Sequence, residues 1–253
     1  MRPVVLLTMA GRSERFARVG VGVPKWALRL GGKTVLERAI ESVAPLLEAG
    51  SELRLVVRPD DASSVLLDDT LRASPWPATV LTGSGRAEGQ AVDALAGLGP
   101  GDDDRPLIVW CVDTFVNWTT ETTTDLLRAE GNWLLTAALP GDHWSFASTG
   151  PDDRVTATAE KRRIGEDASV GMYAFATGRL FREAVSAGAP DAGERYVAPL
   201  YNHLVRLGGC VRVIRVPLEA VVSVGTPDEM LAACAANDWE APPELRAYAR
   251  SRR

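Results

Sequence analysis

The sequence predicts an α/β fold, a doubly wound, mostly parallel sheet with a small antiparallel β extension. Two observations predict it. First, short and nearly continuous apolar runs alternate with segments of helical periodicity between residues 4 and 112. Strands apolar on both faces belong to sheets covered by helices on both sides. Second, after Asp113 the pattern changes to short β-rich pieces separated by turns such as "TGPDDR". Pieces of that kind pair antiparallel.

In chain order, the apolar runs at 4–9, 53–58, 78–82 and 107–112 are predicted strands. Helices are predicted between them at 35–49, 63–72 and 89–98. A helix at 122–129 leads into "WLLTAAL", "WSFAST", "RVTATAEK" and "VGMYAFAT", the strands of the extension. Helices at 180–187 and 196–207 follow, then the strands "CVRVIRV" and "AVVSVG". The next helix is entered through Thr226-Pro227-Asp228, with Thr as cap and Pro at the first helical position. No internal repeat and no linker divides the chain. Residues 1–240 read as a single domain and 241–253, broken by Pro242 and Pro243, as a peripheral C-terminal tail.

The 253 residues are ample to bury a core, and 46% of them are hydrophobic. A net charge of -5 argues against nucleic acid or an anionic membrane as partner, so any positive site must be local. No apolar run reaches membrane-spanning length. Apart from Arg2, the basic residues near the first run follow it, unlike those of a secretory leader. Cys111, Cys210 and Cys234 are odd in number and lack CxxC spacing. They read as reduced, mostly buried thiols of a cytoplasmic protein, without disulfide or zinc.

The first run ends in "MAGRSERF" and continues to "VPKWAL". Ala10, Gly11 and Arg12 form a small-residue turn after a buried strand, and Arg15, Arg18 and Lys25 follow. Backbone N–H groups at such a turn, with Arg and Lys beside them, make an anion site. The bland alternative is a solvated loop. The loop has no GxGxxG, and "GSGRAEG" over 83–89 has the wrong spacing. No Walker motif occurs. Asp113 ends the strand "LIVWCVD", where doubly wound sheets bind ligands. A lone carboxylate there suits Mg²⁺, which keeps waters and phosphates as its other ligands; a turn or helix-cap Asp is the plain alternative. The acidic run Asp102–Asp104 precedes its strand and belongs at the opposite edge. Glu160-Lys161 closes "RVTATAEK", either at a site rim or as an exposed ion pair. Trp144, in "DHWSF", is the tryptophan placed to meet a ligand.

In register, these pieces resemble the sugar-1-phosphate nucleotidylyltransferases, closest to the small bacterial members. The family's AGxGSRF loop and Pro-Lys pair stand here as "MAGRSERF" and "VPKWAL", and its strand-end Asp as "CVD". Its Glu-Lys pair stands as "AEKRRIGEDASVGMYAF" and its late Gly-Thr-Pro turn as "SVGTPDEM", the whole spanning about residues 3–235. The resemblance implies a Rossmann-like fold of the nucleotide-diphospho-sugar transferase type. It implies transfer of NMP from an NTP to a phosphorylated acceptor, with release of pyrophosphate. The acceptor would be a sugar-1-phosphate, or alternatively a non-sugar phosphate or phosphonate.

Carried over by position, Ala10, Gly11, Arg12, Gly85 and Gln90 would bind the nucleotide. Arg15, Lys25 and Lys161 would be catalytic, with Arg15 and Lys25 on the triphosphate and Lys161 on the acceptor phosphate. Glu160, Lys161, Gly171 and Glu194 would bind the acceptor, and Asp113 would hold Mg²⁺. The nucleophile is then an anionic phosphate oxygen and needs no general base, in keeping with a chain that has only two histidines. Relatives are often dimers or tetramers, so a homo-oligomer is implied by analogy.

Three positions depart from the family pattern. Its second loop Gly is Ser13, its Ser/Thr is Glu14, and the second metal Asp of many members is Ser223. Glu14 is expected either to turn away from the triphosphate or to supply the missing metal charge. The departures also leave room for a catalytically weak, nucleotide-binding regulatory homologue. A nucleotide-sugar glycosyltransferase would need Asp-x-Asp after the fourth strand, and "VDT" has one Asp.

Overall fold

The computed structural model describes residues 1–85, 88–188 and 193–252. Its apolar runs become β1 (Val4–Thr8), β2 (Glu52–Val57), β3 (Ala78–Thr82) and β4 (Leu107–Cys111). They lie parallel in the order β3-β2-β1-β4, with Val4 opposite both Glu52 and Leu107. All five β1 residues are buried. Val5 and Leu7 enter the core on one face of the sheet, Val4 and Leu6 the core on the other. That two-sided burial is why the strands read as continuous rather than alternating runs.

The extension comprises β5 (Asn132–Ala137), β6 (Ser145–Thr149), β7 (Val155–Glu160), β8 (Asp167–Phe175) and β9 (Val211–Arg215). The long β8 is antiparallel to β4 through Met172–Phe175, to β5, and to β6 through Asp167 and Ala168. β6 and β7 form a hairpin. β9 joins β5 in parallel, so the extension is not wholly antiparallel. The predicted strand "AVVSVG" is the short segment Val221–Ser223, which pairs with Thr114–Val116 just after Asp113.

Two predicted helices are shorter than their periodicity suggests. The segment 35–49 breaks at Val43 into Val35–Ser42 and Ala44–Glu48, because Pro45 has no N–H to continue the ladder. The segment 196–207 is helical only over Tyr201–Arg206, after a tight turn at Ala198–Leu200 that holds Pro199. Thr226 caps helix Pro227–Ala236 by accepting from Glu229 N at 3.1 Å, as expected. In the tail, Leu245 is fully buried and a short helix covers Arg246–Ser251. Cys234 is buried and Cys111 half-buried, but Cys210 is exposed, because it leads into the outermost strand β9. Among the described residues, no helix is long and apolar enough to cross a membrane.

The acidic run lies at the N-terminal edge of the parallel strands. Arg54 grips Asp102 with two bonds of 2.6 and 3.0 Å, and Arg105 bridges Asp102 and Glu52 at 2.9 and 2.7 Å. Asp103 and Asp104 pair with Arg182 and Arg179. The opposite edge is left for ligands. Successive strands run from β1 to β2 and β3 on one side, then return to β4 on the other. The crevice outside the ends of β1 and β4 is therefore the topological switch point.

Candidate active site

From Thr8 the chain leaves the sheet through Ala10, Gly11 and Arg12 and turns into the short helix Glu14–Ala17. Ser13 makes that turn in the left-handed region, at φ 52°. This explains why related loops carry glycine there. Ser13 Oγ accepts from Lys25 N at 3.3 Å and ties the two ends of the loop together. Buried Phe16 and Trp26 hold the loop on the core. Pro24 and the tight turn Lys25–Ala27 then set the direction of the Lys25 side chain. Its Nζ meets Asp113 Oδ2 at 2.5 Å.

Asp113 is fixed from behind, since its carbonyl accepts from Val224 N at 2.8 Å. Gly225 follows. A Cβ there would lie 3.4 Å from Asp113 Oδ2 and 3.3 Å from Glu229 Oε2, so a side chain would crowd both carboxylates. Burial pushes the Asp113 carboxyl up, but the charge and hydrogen bond of Lys25 override it and hold the group below its ordinary range. The neighbouring Cys111 thiol is pushed far up, first by burial and then by Asp113. It is a neutral wall of the site. Glu14 stands on the rim of the site and reaches Arg18 at 3.6 Å, with both side chains exposed.

A cavity of about 430 Å³ opens beside this pair. Ala10, Gly11, Arg12, Lys25, Gly85, Gln90, Asp113 and Glu194, all expected in the site, line it. A smaller cavity of about 160 Å³ continues from it, lined by Trp144, Glu160, Gly171 and Tyr173 among others. Gln90, Cys111, Asp113 and Tyr196 belong to both. The structure thus brings most of the expected residues together, with Glu194 on the larger cavity rather than with Glu160. Arg15 and Lys161 line neither. Arg15 is exposed on its helical turn. Lys161 stands one side chain back, donating from Nζ to Tyr196 Oη at 2.9 Å. That bond, with nearby Glu160 and Glu194, raises the Lys161 pKa.

Tyr196 was not legible as a site residue, and it is central. Its hydroxyl donates to Glu194 Oε2 at 2.5 Å while accepting from Lys161. It is brought in by a backbone interlock. Arg195 N donates to Glu88 O at 2.8 Å, and Ala91 N to Arg195 O at 3.0 Å. The approach is so close that any Cβ on Gly89 would overlap the Arg195 backbone. Gln90, at the start of helix Gln90–Ala96, donates from Nε2 to Thr8 Oγ1 at 2.9 Å, and Thr8 donates on to Trp110 O at 3.1 Å. Gly171 sits against β4 at φ 96°, where a side chain would overlap Cys111 Sγ. Ser145 Oγ donates to Glu160. Asp93, also unforeseen, lines the larger cavity, and burial together with Glu88 pushes its pKa up to about 6. Its only sequence signal is one charge in the apolar helix "QAVDALAGL".

Solved structures share this architecture. A nucleoside-diphosphate-sugar pyrophosphorylase from Vibrio cholerae RC9 superposes with a TM-score of 0.76 at 24% identity, covering 92% of this chain and 99% of its own. A UDP-glucose pyrophosphorylase complexed with UDP-glucose gives 0.76 at 15% identity, over 94% and 99%. The inositol-1-phosphate CTP transferase from T. maritima gives 0.72 at 14%, over 92% and 95%. These likenesses establish the fold. A search of curated protein sequences finds no match. A scan against protein families matches residues 5–204 to the MobA-like NTP transferase domain, the stretch that carries the loop, Lys25, Asp113 and both cavities. The chain belongs to the MobA-like NTP transferase domain family.

Proposed function

We infer that this nucleotidyltransferase moves NMP from an NTP to a sugar-1-phosphate, with Mg²⁺, giving an NDP-sugar and pyrophosphate. One observation carries the reading. The Lys25–Asp113 pair stands at the switch point, on the larger cavity and within reach of the smaller. A cavity of about 430 Å³ suits a nucleotide, and the adjoining one of about 160 Å³ extends it on the side of Glu160 and Trp144, where an acceptor would lie. Two substrates held there meet at the residues the cavities share.

The acceptor phosphate is already anionic and attacks without a base. The work left to the protein is alignment and charge neutralisation. Gly11 and the loop N–H groups would cradle the triphosphate, and Lys25 would follow the charge that develops on departing pyrophosphate. Lys161, held by Tyr196, would reach the acceptor phosphate from the rim. Glu160 and Trp144 would face its hydroxyls and ring. Mg²⁺ fits Asp113. Among the described residues no three acidic, His or Cys groups converge on a point, so a cation there would depend on Asp113 and on oxygens of the nucleotide itself. When bound, Mg²⁺ would neutralise charge at the α-phosphate.

The similarity to pyrophosphorylases for nucleotide sugars supports a sugar acceptor. The similarity to an inositol-1-phosphate transferase keeps a non-sugar phosphate as the second reading. The test is pyrophosphate release with Mg²⁺, five NTPs and a panel of sugar-1-phosphates and non-sugar phosphates. Release with one pair, lost in Lys25→Ala and Asp113→Asn, establishes reaction and substrates together. Tight nucleotide binding with no release across the panel would sink the catalytic reading in favour of a binding homologue.

A further inference from the structure

A third cavity, of about 160 Å³, borders Tyr196 and has no task in the reading above. Arg195, His203 and Arg206 line it, with Gly188, Pro199 and Leu200 as its apolar wall. Among the described residues it shares Tyr196 alone with the two substrate cavities, and Lys25, Asp113 and Lys161 are not on it. No carboxylate is among the described residues that line it. None of the three basic side chains has an acidic partner among the described residues.

Uncompensated positive charge is out of place on this chain. Its net charge is -5, and guanidiniums such as those of Arg54, Arg105 and Arg215 meet carboxylates. The helix dipole favours His203 and Arg206 singly, because both lie in the last turn of Tyr201–Arg206. It does not account for Arg195, which arrives from the strip before that helix. Among the described residues Arg206 engages the protein only through Nε, donating to Asn202 O at 3.1 Å, which leaves its two terminal nitrogens. An imidazole offers an N–H in either protonation state. Two guanidiniums and an imidazole around one small hollow, with no acid to close it, form a receptor for a tetrahedral oxyanion.

Two links run from the hollow to the acceptor side. Arg195 precedes Tyr196, whose hydroxyl holds Lys161 and Glu194. Asn202, on the same wall, pairs with the Thr158 backbone through two bonds of 2.8 Å, and Thr158 stands two residues before Glu160 in β7. We propose that this cavity is a second anion site, for inorganic phosphate or the phosphate group of a monoester, and that its occupant changes how the acceptor is bound. The site stands on its own residues, and its effect on the acceptor rests on the nucleotidyltransferase reading.

The experiment is calorimetric titration of inorganic phosphate and of methyl phosphate, without nucleotide or Mg²⁺, into the full chain and into Arg206→Ala, His203→Ala and the double variant Lys25→Ala/Lys161→Ala. The double variant is expected to keep a phosphate site of wild-type affinity. Arg206→Ala and His203→Ala should each weaken that site by about tenfold, the loss of one charge-assisted hydrogen bond. Methyl phosphate that binds as well as the free ion assigns the site to monoesters, and weaker binding assigns it to inorganic phosphate. Binding lost in the double variant but untouched by Arg206→Ala and His203→Ala would return the anion to the site already described and overturn the proposal. A wild type without saturable binding would overturn it too. In turnover, followed as NTP consumed, saturating phosphate should shift the acceptor's KM in the wild type and leave it unmoved in Arg206→Ala. The same response in both overturns the link to the acceptor. If no NTP–acceptor pair turns over, the transferase reading falls, and the titration by itself still decides the anion site.

Discussion

Lys25 and Asp113 are 88 residues apart in the chain and 2.5 Å apart in the fold. Each was legible because each closes or follows a strand-end motif whose chemistry is narrow. Lys25→Ala is expected to lower kcat/KM for the best NTP–acceptor pair by about 10²–10³, the loss of one transition-state donor, or ~2.7–4 kcal/mol. Steady-state kinetics of the purified variant checks it, and a loss in KM alone would reassign Lys25 to ground-state binding. Asp93 was not legible, since an acid in a first helical turn is what the helix dipole favours anyway. Its effect on stability has a definite sign. The folded pKa of about 6 lies above that of a free carboxyl, so the native state holds the proton more tightly. Stability contributed by the neutral form is present below about pH 4 and lost as pH rises through about 6. Asp93→Asn should therefore raise Tm relative to wild type more at pH 7.5 than at pH 4.5. Equal gains at both pH values would contradict it.

At the scale of elements, β1 and β4 were readable because nearly all of their residues are apolar and buried on both faces. Their neighbours were less so. The pairing of β8 with β4, β5 and β6 depends on partners that no local pattern names. Tyr196 reaches the site only through the interlock of 88–91 with 195, which is set by backbone rather than side chains. The breaks at Val43 and before Tyr201 follow from Pro45 and Pro199, local signals that periodicity outweighed. Gly171 was expected from the resemblance as an acceptor contact, and the structure gives it a packing reason as well. Gly171→Ala should cost about 1–3 kcal/mol by overlap with Cys111 Sγ, before any strain at φ 96°. Pairing it with Cys111→Ala should recover part of the lost Tm. No recovery would mean that the backbone conformation alone sets the cost.

At the scale of the whole molecule, charge is sorted between the two ends of the parallel sheet. The N-terminal edge carries the closed network of Arg54, Arg105, Glu52 and Asp102, with Arg54 11% and Asp102 5% exposed at their side chains. Hydrogen bonds from Arg54 hold both carboxyls below their ordinary range. They contribute stability above the normal carboxyl pKa of about 4, and that stability is lost as pH falls below it. Arg54→Ala strands two acids and is expected to cost about 3–5 kcal/mol in denaturant unfolding. It should also flatten the acid limb of stability against pH. An unchanged acid limb would place the acid sensitivity elsewhere.

The interlock between 88–91 and Arg195 has a further consequence for how two substrates are handled. It stitches the wall that bears Gly89 and Gln90 to the strip that bears Glu194 and Tyr196, by two backbone bonds and a contact too close for any side chain. Gln90 and Tyr196, one on each side of that interlock, both line the two cavities, so this shared partition is a thermodynamic coupler. Whatever nucleotide does to the partition, the acceptor must feel in equal measure, and the reverse. The free energy of that coupling is one number, measurable from either side as the shift in affinity for one ligand when the other is saturating. A coupling of zero, with each affinity unmoved when the other ligand is saturating, would mean that the interlock transmits nothing between the two cavities.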